Sequence, residues 1–524
     1  MSRLAAARRR TVAGHGPDDG RMLLEPLPPA SPRPWELLRF PPARAARLAA
    51  FNGWVGPALV TLLAGVLRFG YLGSPRAVVS DETYYAKDAW SLLRYGYEGT
   101  WSAGADADLL ASPQHIDLSS APEFIAHPPV GKWMIALGEA MFGLTPFGWR
   151  FVPALLGTLS VLMLCRIGRR LLRSTAWGCL AGLLLTLDGL HFVMSRTALL
   201  DIVLMFWVLA AFGCLLIDRD AFRTRLATGG DQEAWRPWRL AAGVCLGLAC
   251  GSKWSGVCSL AVFCLLTVLW DVGTFRAAGL RRPWRFALRR EALPAFASLV
   301  PVALATYVAS WTGWLLAHGG YGRDWATGQD LSGAGLLGTW VPGPLLSLIH
   351  YHEEMWGFHV TLSAVCGARG CAREVPALGT PLLWWTALIA LGYLLHRLLL
   401  RRDWRAGAVL AAVAAGYLPW LLYQGRTLFS FYTVEFVPFL CLAVAMLLAD
   451  LGAVRAVGAP GALGSPGALG ALGALGSRRA VRLVAVGVLV LAVAADFAWF
   501  LPLYTGQAES TTAWESRIWF DSWI

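Results

Sequence analysis

The chain has 524 residues, of which 56% are hydrophobic and 15% are charged. Because soluble domains typically have an apolar share of about 45–50%, an ordinary soluble globular protein is excluded. The net charge of +12 does not indicate a nucleic-acid-binding protein, since the excess arginines lie between apolar segments and not on one basic domain. The composition therefore predicts a membrane protein with many spans and no nucleic-acid partner.

The first fifty residues are rich in Arg, Pro and Ala and contain no long apolar stretch. We therefore expect residues 1–50 to form a disordered basic tail and not a cleaved signal peptide. About eleven apolar segments that are long enough to cross roughly 30 Å of hydrocarbon follow. These segments lie near 53–73, 148–167, 175–192, 198–217, 238–252, 255–271, 292–316, 381–399, 405–424, 434–450 and 481–503.

The segments divide the chain into four parts, which are the tail at 1–50, a transmembrane domain at 51–455, a linker at 456–480, and the last span with the C-terminus at 481–524. The linker is a low-complexity run of Gly, Ala and Leu to which no function is assigned. Apolar spans joined by short polar loops predict an all-α polytopic membrane fold, because helices satisfy their own backbone hydrogen bonds in lipid.

Arginine-rich loops follow the second, fourth, sixth, eighth and tenth apolar segments. Since basic loops stay in the cytoplasm, this alternation predicts a cytoplasmic N-terminus in a multi-pass protein of the cell membrane. The loops at 74–147 and 317–380 and the C-terminus then lie on the extracytoplasmic side, where we expect the chemistry to take place.

The stretch at 80–101 directly follows the first span and contains adjacent carboxylates, Asp81 and Glu82. Two such groups would repel each other if both were buried, which raises the pKa of one of them and suits a general base. The alternative interpretation is that the pair begins a solvated loop.

The stretch at 121–143 starts polar and becomes amphipathic, which predicts an interfacial helix. Lys132 in its first turns either extends to the lipid headgroups or, together with His127, contacts a phosphate. Arg150 at the start of the second span would be costly in lipid without a partner, which could be a carboxylate or a lipid phosphate.

Further charges lie at the same membrane edge and together predict a cationic pocket. We expect Arg196 and Asp201 to form an ion pair, because we place them on one helix about one and a half turns apart. The members of this set are Asp188, His191, Arg196, Asp201, Lys253 and Arg426.

The long loop at 317–380 contains the run HYHEEMWGFH. Its spacing permits metal ligation, and the alternative is a helix lying on the membrane surface with Trp356 and Phe358 facing inward. Cys366 and Cys371 lie in the polar CGARGC loop and are candidates for a disulfide, because an extracytoplasmic loop is oxidising. The other eight cysteines lie in apolar segments, where we expect packing roles.

Five blocks of sequence resemble the protein O-mannosyltransferases, and specifically their bacterial, actinobacterial-like branch. The blocks are DETYYAKDAWSLLRYGYEGTW, HPPVGKWMIALGE, FGWRFVPALLG, RTALLDIVLMFWVLAAFGCLLIDRD and GLACGSKWSG. The resemblance covers roughly residues 50–450 and implies the GT-C class of membrane glycosyltransferases.

The resemblance implies inverting transfer of mannose from polyprenyl-phosphate-mannose to Ser or Thr hydroxyls of unfolded secreted or membrane proteins. It makes Asp81 the base, with Glu82 shaping the acceptor site. His127, Lys132 and Arg150 would hold the donor phosphate, and Lys253 and Arg426 are weaker candidates for that role. The expected partners are the lipid donor, the protein acceptor, membrane lipids and the secretion translocon. No cofactor is required, and a divalent metal is permitted but not needed, because the carrier phosphate is the leaving group.

The chain departs from the family pattern after the FH of the long loop, where HVTLSA runs almost directly into VCGARGC. This shortening, at 360–371, predicts a reduced acceptor or lipid-head site. An alternative function is a GT-C transferase that moves a lipid-linked sugar to a glycolipid or a cell-wall polymer. A transporter is disfavoured, because the sequence has no inverted repeat and its polar residues gather at one membrane face.

Overall fold

The structure is a computed structural model that describes residues 42–111, 118–228, 235–329, 340–361, 377–422, 428–452, 468–507 and 509–520. Arg426, Cys366, Cys371, most of the predicted tail and part of the linker lie outside the described residues, as does most of the shortened 360–371 segment. The helix α1 (Pro42–Phe69) begins within the range predicted as the tail, and α18 (Ala468–Tyr504) begins within the range predicted as the linker. The division of the chain into four parts stays a prediction.

The first polar loop folds into a small layer of helices and one hairpin. Its elements are α2 (Glu82–Tyr95), β1 (Gly99–Trp101), α3 (Ala105–Ala111), β2 (Leu118–Pro122) and α4 (Val130–Phe142). The two strands pair antiparallel, with Gly99 opposite Pro122 and Trp101 opposite Leu118. The interfacial helix predicted at 121–143 is confirmed as a helix, α4, whereas α2 was not predicted.

The remaining elements are almost all helices. They are α5 (Pro146–Leu172), α6 (Thr175–Thr186), α7 (Gly189–Met194), α8 (Leu200–Ala227), α9 (Pro237–Ser252), α10 (Gly256–Ala277), α11 (Pro283–Arg290), α12 (Ala292–Ser310), α13 (Thr312–Leu316), α14 (Gly343–Thr361), α15 (Pro381–Arg401), α16 (Trp404–Tyr417), α17 (Val437–Gly452) and α19 (Thr511–Glu515). Short 3-10 turns at Trp325–Gly328, Leu418–Leu422 and Ser430–Phe436 connect them.

Eight described helical segments are long and apolar enough to cross a membrane. They are Pro146–Leu172, Leu200–Ala227, Gly256–Ala277, Ala292–Ser310, Pro381–Arg401, Trp404–Leu422, Ser430–Gly452 and Ala480–Tyr504. Two shorter apolar helices, Gly53–Phe69 and Thr175–Thr186, and the 16-residue α9 coincide with the other predicted segments. The all-α multi-span fold is confirmed, and the number of crossings stays a prediction.

Burial orders the spans from the centre of the bundle to its periphery. Within the apolar window of each span, 78% of the residues are buried in Ser430–Gly452 and 67% in both α5 and α8, against 17% in α12 and in Ala480–Tyr504. The rings of Phe212 on α8 and Phe439 on α17 meet at 5.1 Å. These three most buried spans therefore form the core of the described bundle, and the least buried helices leave their apolar side chains for the lipid.

Small residues let α9 and α12 approach each other closely. A Cβ atom at Gly243 would lie 2.5 Å from the carbonyl oxygen of Ser298, and one at Gly247 would lie 2.5 Å from that of Ala303. Close backbone approach of this kind is the usual way in which membrane helices gain van der Waals contact. All eight cysteines predicted to serve packing are free thiols.

The predicted span at 175–192 is broken into α6 and α7 at Asp188. The Asp188 carboxylate accepts a hydrogen bond from the backbone N–H of His191 at 2.8 Å and one from the Trp384 indole N–H at 2.7 Å. Asp188 therefore caps α7, and its charge does not take part in the predicted cationic pocket.

The predicted ion pair between Arg196 and Asp201 is wrong. The Arg196 guanidinium donates instead to backbone carbonyls at the end of α1, including those of Arg68 at 2.8 Å, Gly70 at 2.7 Å and Tyr71 at 3.0 Å. The Arg68 carbonyl lies in the last turn of the helix, where carbonyls lack an intrahelical partner, and the Tyr71 carbonyl also accepts from the Ser74 N–H at 2.9 Å. Arg196 thus anchors the end of α1, directly before the loop that leads to Asp81.

Candidate functional site

A sharp turn brings the chain into α2 at Asp81. Ser80 adopts a positive φ of 52°, a left-handed conformation that is uncommon for residues other than glycine and is concentrated at functional sites. Asp81 occupies the N-cap position of α2, but its side chain accepts no capping hydrogen bond. The carboxylate is half-buried.

Glu82 points away from Asp81 and into the protein interior. It is fully buried, and its carboxylate forms two 2.7 Å bonds with Arg150, one from Nε and one from Nη2. It also accepts hydrogen bonds from the backbone N–H groups of Val79 and Ala198, each at 3.0 Å. Glu82 thus joins the turn before α2 to the chain segment that precedes α8.

Arg150 is committed to this structural cluster. Besides its two bonds to Glu82, the guanidinium donates to the carbonyls of Ala77 at 2.8 Å, Pro75 at 3.0 Å and Leu72 at 3.4 Å. These contacts account for all five of its N–H donors, and the residue is 1% exposed. Of the two partners predicted for Arg150, the carboxylate is found, and the geometry leaves no donor for a phosphate.

The arrangement changes the roles predicted for the adjacent carboxylates. Mutual repulsion between Asp81 and Glu82 does not operate as expected, because the Glu82 charge is neutralised by Arg150 through a bidentate ion pair. The contacts of Glu82 hold the turn before α2, and the role of Asp81 as the base stays a prediction.

Lys132 is also buried, with an exposed fraction of 0%, so its predicted extension to the headgroups is wrong. Its ammonium forms an ion pair with Glu98 and donates to the carbonyl of His127 at 3.0 Å. Lys132 therefore ties the His127 segment to α2 and its following strand. This geometry favours a positioning role for Lys132 over direct contact with a phosphate.

Tyr85 lies one helical turn after Asp81 and connects the parts of the site. Burial raises the pKa of the Tyr85 hydroxyl, and the nearby charges of Asp81 and Asp201 raise it further. The hydroxyl therefore stays protonated at physiological pH. The Tyr85 ring centroid lies 6.1 Å from that of His127, so residues from α2, α8 and the segment before α4 meet here.

Lys253 provides a further cationic side chain beside this centre. It follows α9, and its Nζ donates to the Asp201 carboxylate at 2.8 Å and lies 3.8 Å from the ring centroid of Tyr432. Tyr432 belongs to the 3-10 turn before α17. The cation is thus oriented by a carboxylate on one side and by an aromatic face on the other.

Aromatic side chains from α14 line the site opposite Tyr85. The His359 ring lies 5.0 Å from the His127 ring and 5.7 Å from the Trp254 ring. The His359 imidazole Nε2 is 2.8 Å from the carbonyl oxygen of Ala126. The long loop therefore contributes directly to the wall of the site.

The helix α14 packs on the protein through a face that does not include Trp356 and Phe358, and their placement toward the membrane stays a prediction. Tyr351 and Met355 are buried, whereas Trp356 is 54% exposed and Phe358 is 42% exposed. His350 in the same run stacks on Trp325 at 4.1 Å. Within the part of the chain that the structure describes, no group of three or more His, Cys, Asp and Glu residues is arranged to hold a metal ion.

The structure thus brings Asp81, His127 and Lys253 to one centre and places Glu82, Lys132 and Arg150 behind it as supports. Asp188, His191 and Arg196 lie elsewhere, with the His191 Nδ1 at 2.7 Å from an Arg68 nitrogen. Sequence reasoning missed Tyr85 and Tyr432 as members, and it considered His359 only within the HYHEEMWGFH run as a metal ligand. Of the two missed residues, only Tyr85 carried a signal, because it lies four residues after Asp81 on a helix.

The arrangement of the spans matches a solved membrane glycosyltransferase. The structure of the S. cerevisiae protein O-mannosyltransferase Pmt1-Pmt2 complex bound to the sugar donor superposes with a TM-score of 0.65 over 90% of this chain and 92% of that chain, at 13% identity. The chain has the fold of the GT-C class of membrane glycosyltransferases.

Sequence comparison identifies the family. A family model described as dolichyl-phosphate-mannose-protein mannosyltransferase matches residues 58–316. The polyprenol-phosphate-mannose–protein mannosyltransferase of Mycobacterium tuberculosis is 35% identical over 544 residues, covering 95% of this chain and 96% of that protein. Its counterpart in Mycolicibacterium smegmatis is 34% identical over 530 residues, covering 92% and 95%. The chain therefore belongs to the dolichyl-phosphate-mannose-protein mannosyltransferase family and is a glycosyltransferase.

Proposed function

We propose that the protein transfers mannose from polyprenyl-phosphate-mannose to Ser or Thr hydroxyls of proteins. The observation that carries this proposal is the similarity to polyprenol-phosphate-mannose–protein mannosyltransferases over 95% of the chain. The absence from the sequence of a nucleotide-binding glycine motif, as expected for a lipid-linked donor, agrees with it. The proposal includes unfolded proteins as the acceptors and the secretion translocon as a partner.

Asp81 acts as the general base in the proposed reaction. Its carboxylate takes the proton of the acceptor hydroxyl while the hydroxyl oxygen attacks the anomeric carbon of mannose. The bond from that carbon to the phosphate oxygen breaks, and polyprenyl phosphate leaves with the electron pair. One displacement inverts the anomeric configuration.

Lys253 stabilises the departing phosphate in this scheme. A cation that is already oriented by Asp201 costs little reorganisation when negative charge develops beside it. His127 lies at the edge of the same centre and is proposed to contact the phosphate or the sugar. Arg426 keeps its predicted phosphate role as a proposal from sequence alone.

The active site is proposed to face the extracytoplasmic side of the cell membrane, with the N-terminus in the cytoplasm. The support is the alternation of arginine-rich loops along the sequence, which retains basic loops inside. Membrane lipids would then contact the least buried spans, α12 and the segment Ala480–Tyr504.

The function is tested with reconstituted full-length protein, synthetic polyprenyl-phosphate-mannose and a peptide rich in Ser and Thr. We expect mannosylated peptide, and no product from the matched peptide in which Ala replaces every Ser and Thr. In a parallel assay, a glycolipid replaces the peptide as the acceptor. Transfer to glycolipid without transfer to peptide would instead favour the alternative acceptor class.

Replacing Lys253 with Gln should weaken donor binding by roughly 10- to 100-fold, because a charge-assisted hydrogen bond contributes about 1.5–3 kcal/mol. The effect should appear in the KM for the lipid donor and in kcat, while the KM for the peptide stays constant. Lys253→Arg should retain more activity than Lys253→Gln. The matched control is Lys87→Gln, because Lys87 pairs with the partly exposed Asp106 at 3.1 Å; equal effects of the Lys253 and Lys87 changes to Gln would contradict this assignment.

A further inference from the structure

The interface between α2 and α4 buries more negative than positive charge. Asp88, Glu98, Lys132 and Glu139 have exposed fractions of only 3%, 4%, 0% and 1%, respectively. If all four side chains were ionised, three carboxylates would face one ammonium. Burial of uncompensated charge is costly, and a carboxyl group avoids the cost by taking up a proton.

The single ammonium is already committed. Lys132 pairs with Glu98 and donates to the carbonyl of His127. In contrast, Oδ2 of Asp88 and both carboxyl oxygens of Glu139 are buried without a hydrogen-bond partner among the described residues. Asp88 and Glu139 are therefore the two groups whose negative charge has no direct compensation.

The other charged groups around Asp88 do not change this balance. Lys87 on α2 is directed to Asp106, while Glu98 and Glu123 add negative charge. Burial raises the pKa of Asp88 to about 8. The Lys132 charge lowers this pKa and the Glu98 charge raises it, and the effect of burial is larger than either. Burial also raises the pKa of Glu139, and the Asp88 charge raises it further. Tyr351 on α14 lies within the field of Glu98 and Asp88 and stays neutral.

We infer that Asp88 and Glu139 are positioning residues that work in their protonated form: their neutral carboxyl groups let α2 pack against α4 and so hold Asp81 in place. Asp88 follows Asp81 by seven residues, or about two helical turns on the same face. Ionisation would put repelling charges into this contact and loosen the helix that begins at the base. The link to catalysis rests on the proposed role of Asp81, whereas the protonation state does not.

The pH dependence follows from the direction of the shift. Between the ordinary pKa of 3.8 and the raised value of about 8, the folded protein keeps a proton on Asp88 that the unfolded chain releases. The stabilising contribution is therefore fully present below about pH 4 and is lost as the pH rises through about 8. Above that pH we expect transfer to fall by up to about tenfold per pH unit, the slope of one ionisation.

The protonation state is tested by infrared spectroscopy of the full-length protein in lipid vesicles at pH 7. The wild type should show the carbonyl band of protonated carboxyl groups, and Asp88→Asn and Glu139→Gln should each reduce it. Asp108→Asn, which alters an exposed carboxylate on α3, should leave the band unchanged. Spectra in which neither buried variant reduces the band would overturn the inference, whatever the enzyme transfers.

The positioning role is tested by the pH profile of transfer and of thermal unfolding. Asp88→Asn should keep its transfer rate at pH 9, where the wild type has declined, and its unfolding temperature should vary less between pH 5 and 8. If Asp88→Asn does not fold, Glu139→Gln supplies the same comparison. If the folded variant loses activity at alkaline pH as the wild type does, the positioning role is overturned. If the variant shows the infrared change but transfers no mannose at any pH, the error lies in the proposed function.

Discussion

Replacing Asp81 with Asn should lower the rate of mannose transfer by about 10²–10⁴-fold, the range that a positioned general base contributes. Asn has nearly the same shape as Asp but cannot accept the proton of the acceptor hydroxyl. Since the Asp81 side chain makes no capping bond to α2 and Asn is itself a good N-cap residue, the fold should be retained. The measurement is kcat/KM for peptide in reconstituted vesicles.

Two controls separate loss of the base from general damage. Asp108→Asn makes the same chemical change at an exposed position on the same extramembrane layer, and its transfer rate should match that of the wild type. The thermal unfolding temperature of Asp81→Asn should also stay close to the wild-type value. A folded Asp81→Asn protein with wild-type activity would exclude Asp81 as the base.

Replacing Arg150 with Ala should destabilise the protein by about 3–5 kcal/mol, because it leaves a buried carboxylate without its partner. Glu82 and Arg150 are 0% and 1% exposed and share two 2.7 Å bonds. The loss should appear as a lower unfolding temperature in detergent. Activity should fall as well, since the turn before Asp81 loses the contacts that hold it.

A paired replacement distinguishes a buried charge from lost packing. Arg150→Met combined with Glu82→Leu removes both charges and should recover part of the stability lost in Arg150→Ala. The recovery stays partial, because the N–H groups of Val79 and Ala198 lose their acceptor. Arg94→Ala, at an exposed arginine that lies over Trp90 at 5.0 Å, should cost at most about 1 kcal/mol. A similar cost for Arg94→Ala and Arg150→Ala would contradict the structural role of the buried pair.

Hydropathy was sufficient to predict the spans, because the thickness of the bilayer fixes the length of an apolar helix. Every predicted apolar segment overlaps a described helix. The same reasoning required a partner for Arg150, and Glu82 is that partner. Hydropathy did not reveal that the partner of Arg150 is Glu82, the carboxylate adjacent to Asp81.

The predictions for Arg196 with Asp201 and for Asp81 with Glu82 failed for one physical reason, which is that polar contacts were assigned between neighbours along the chain. Arg196 and Asp201 were placed on one helix, but α7 ends at Met194 and α8 begins at Leu200. Once the helix is broken, Arg196 reaches the end of α1, and Asp201 reaches Lys253 after α9. Contacts between residues so far apart in sequence depend on how the helices pack, which their periodicity does not specify.

The central claim, that a protein hydroxyl activated by Asp81 displaces the lipid phosphate directly, is tested most directly by the anomeric configuration of the product. A lipid donor of defined configuration is incubated with the reconstituted protein and a peptide containing one Thr, and the mannosyl peptide is examined by NMR. We predict the configuration opposite to that of the donor. Retention of the donor configuration would contradict direct displacement, because two successive displacements through a covalent intermediate would then be required.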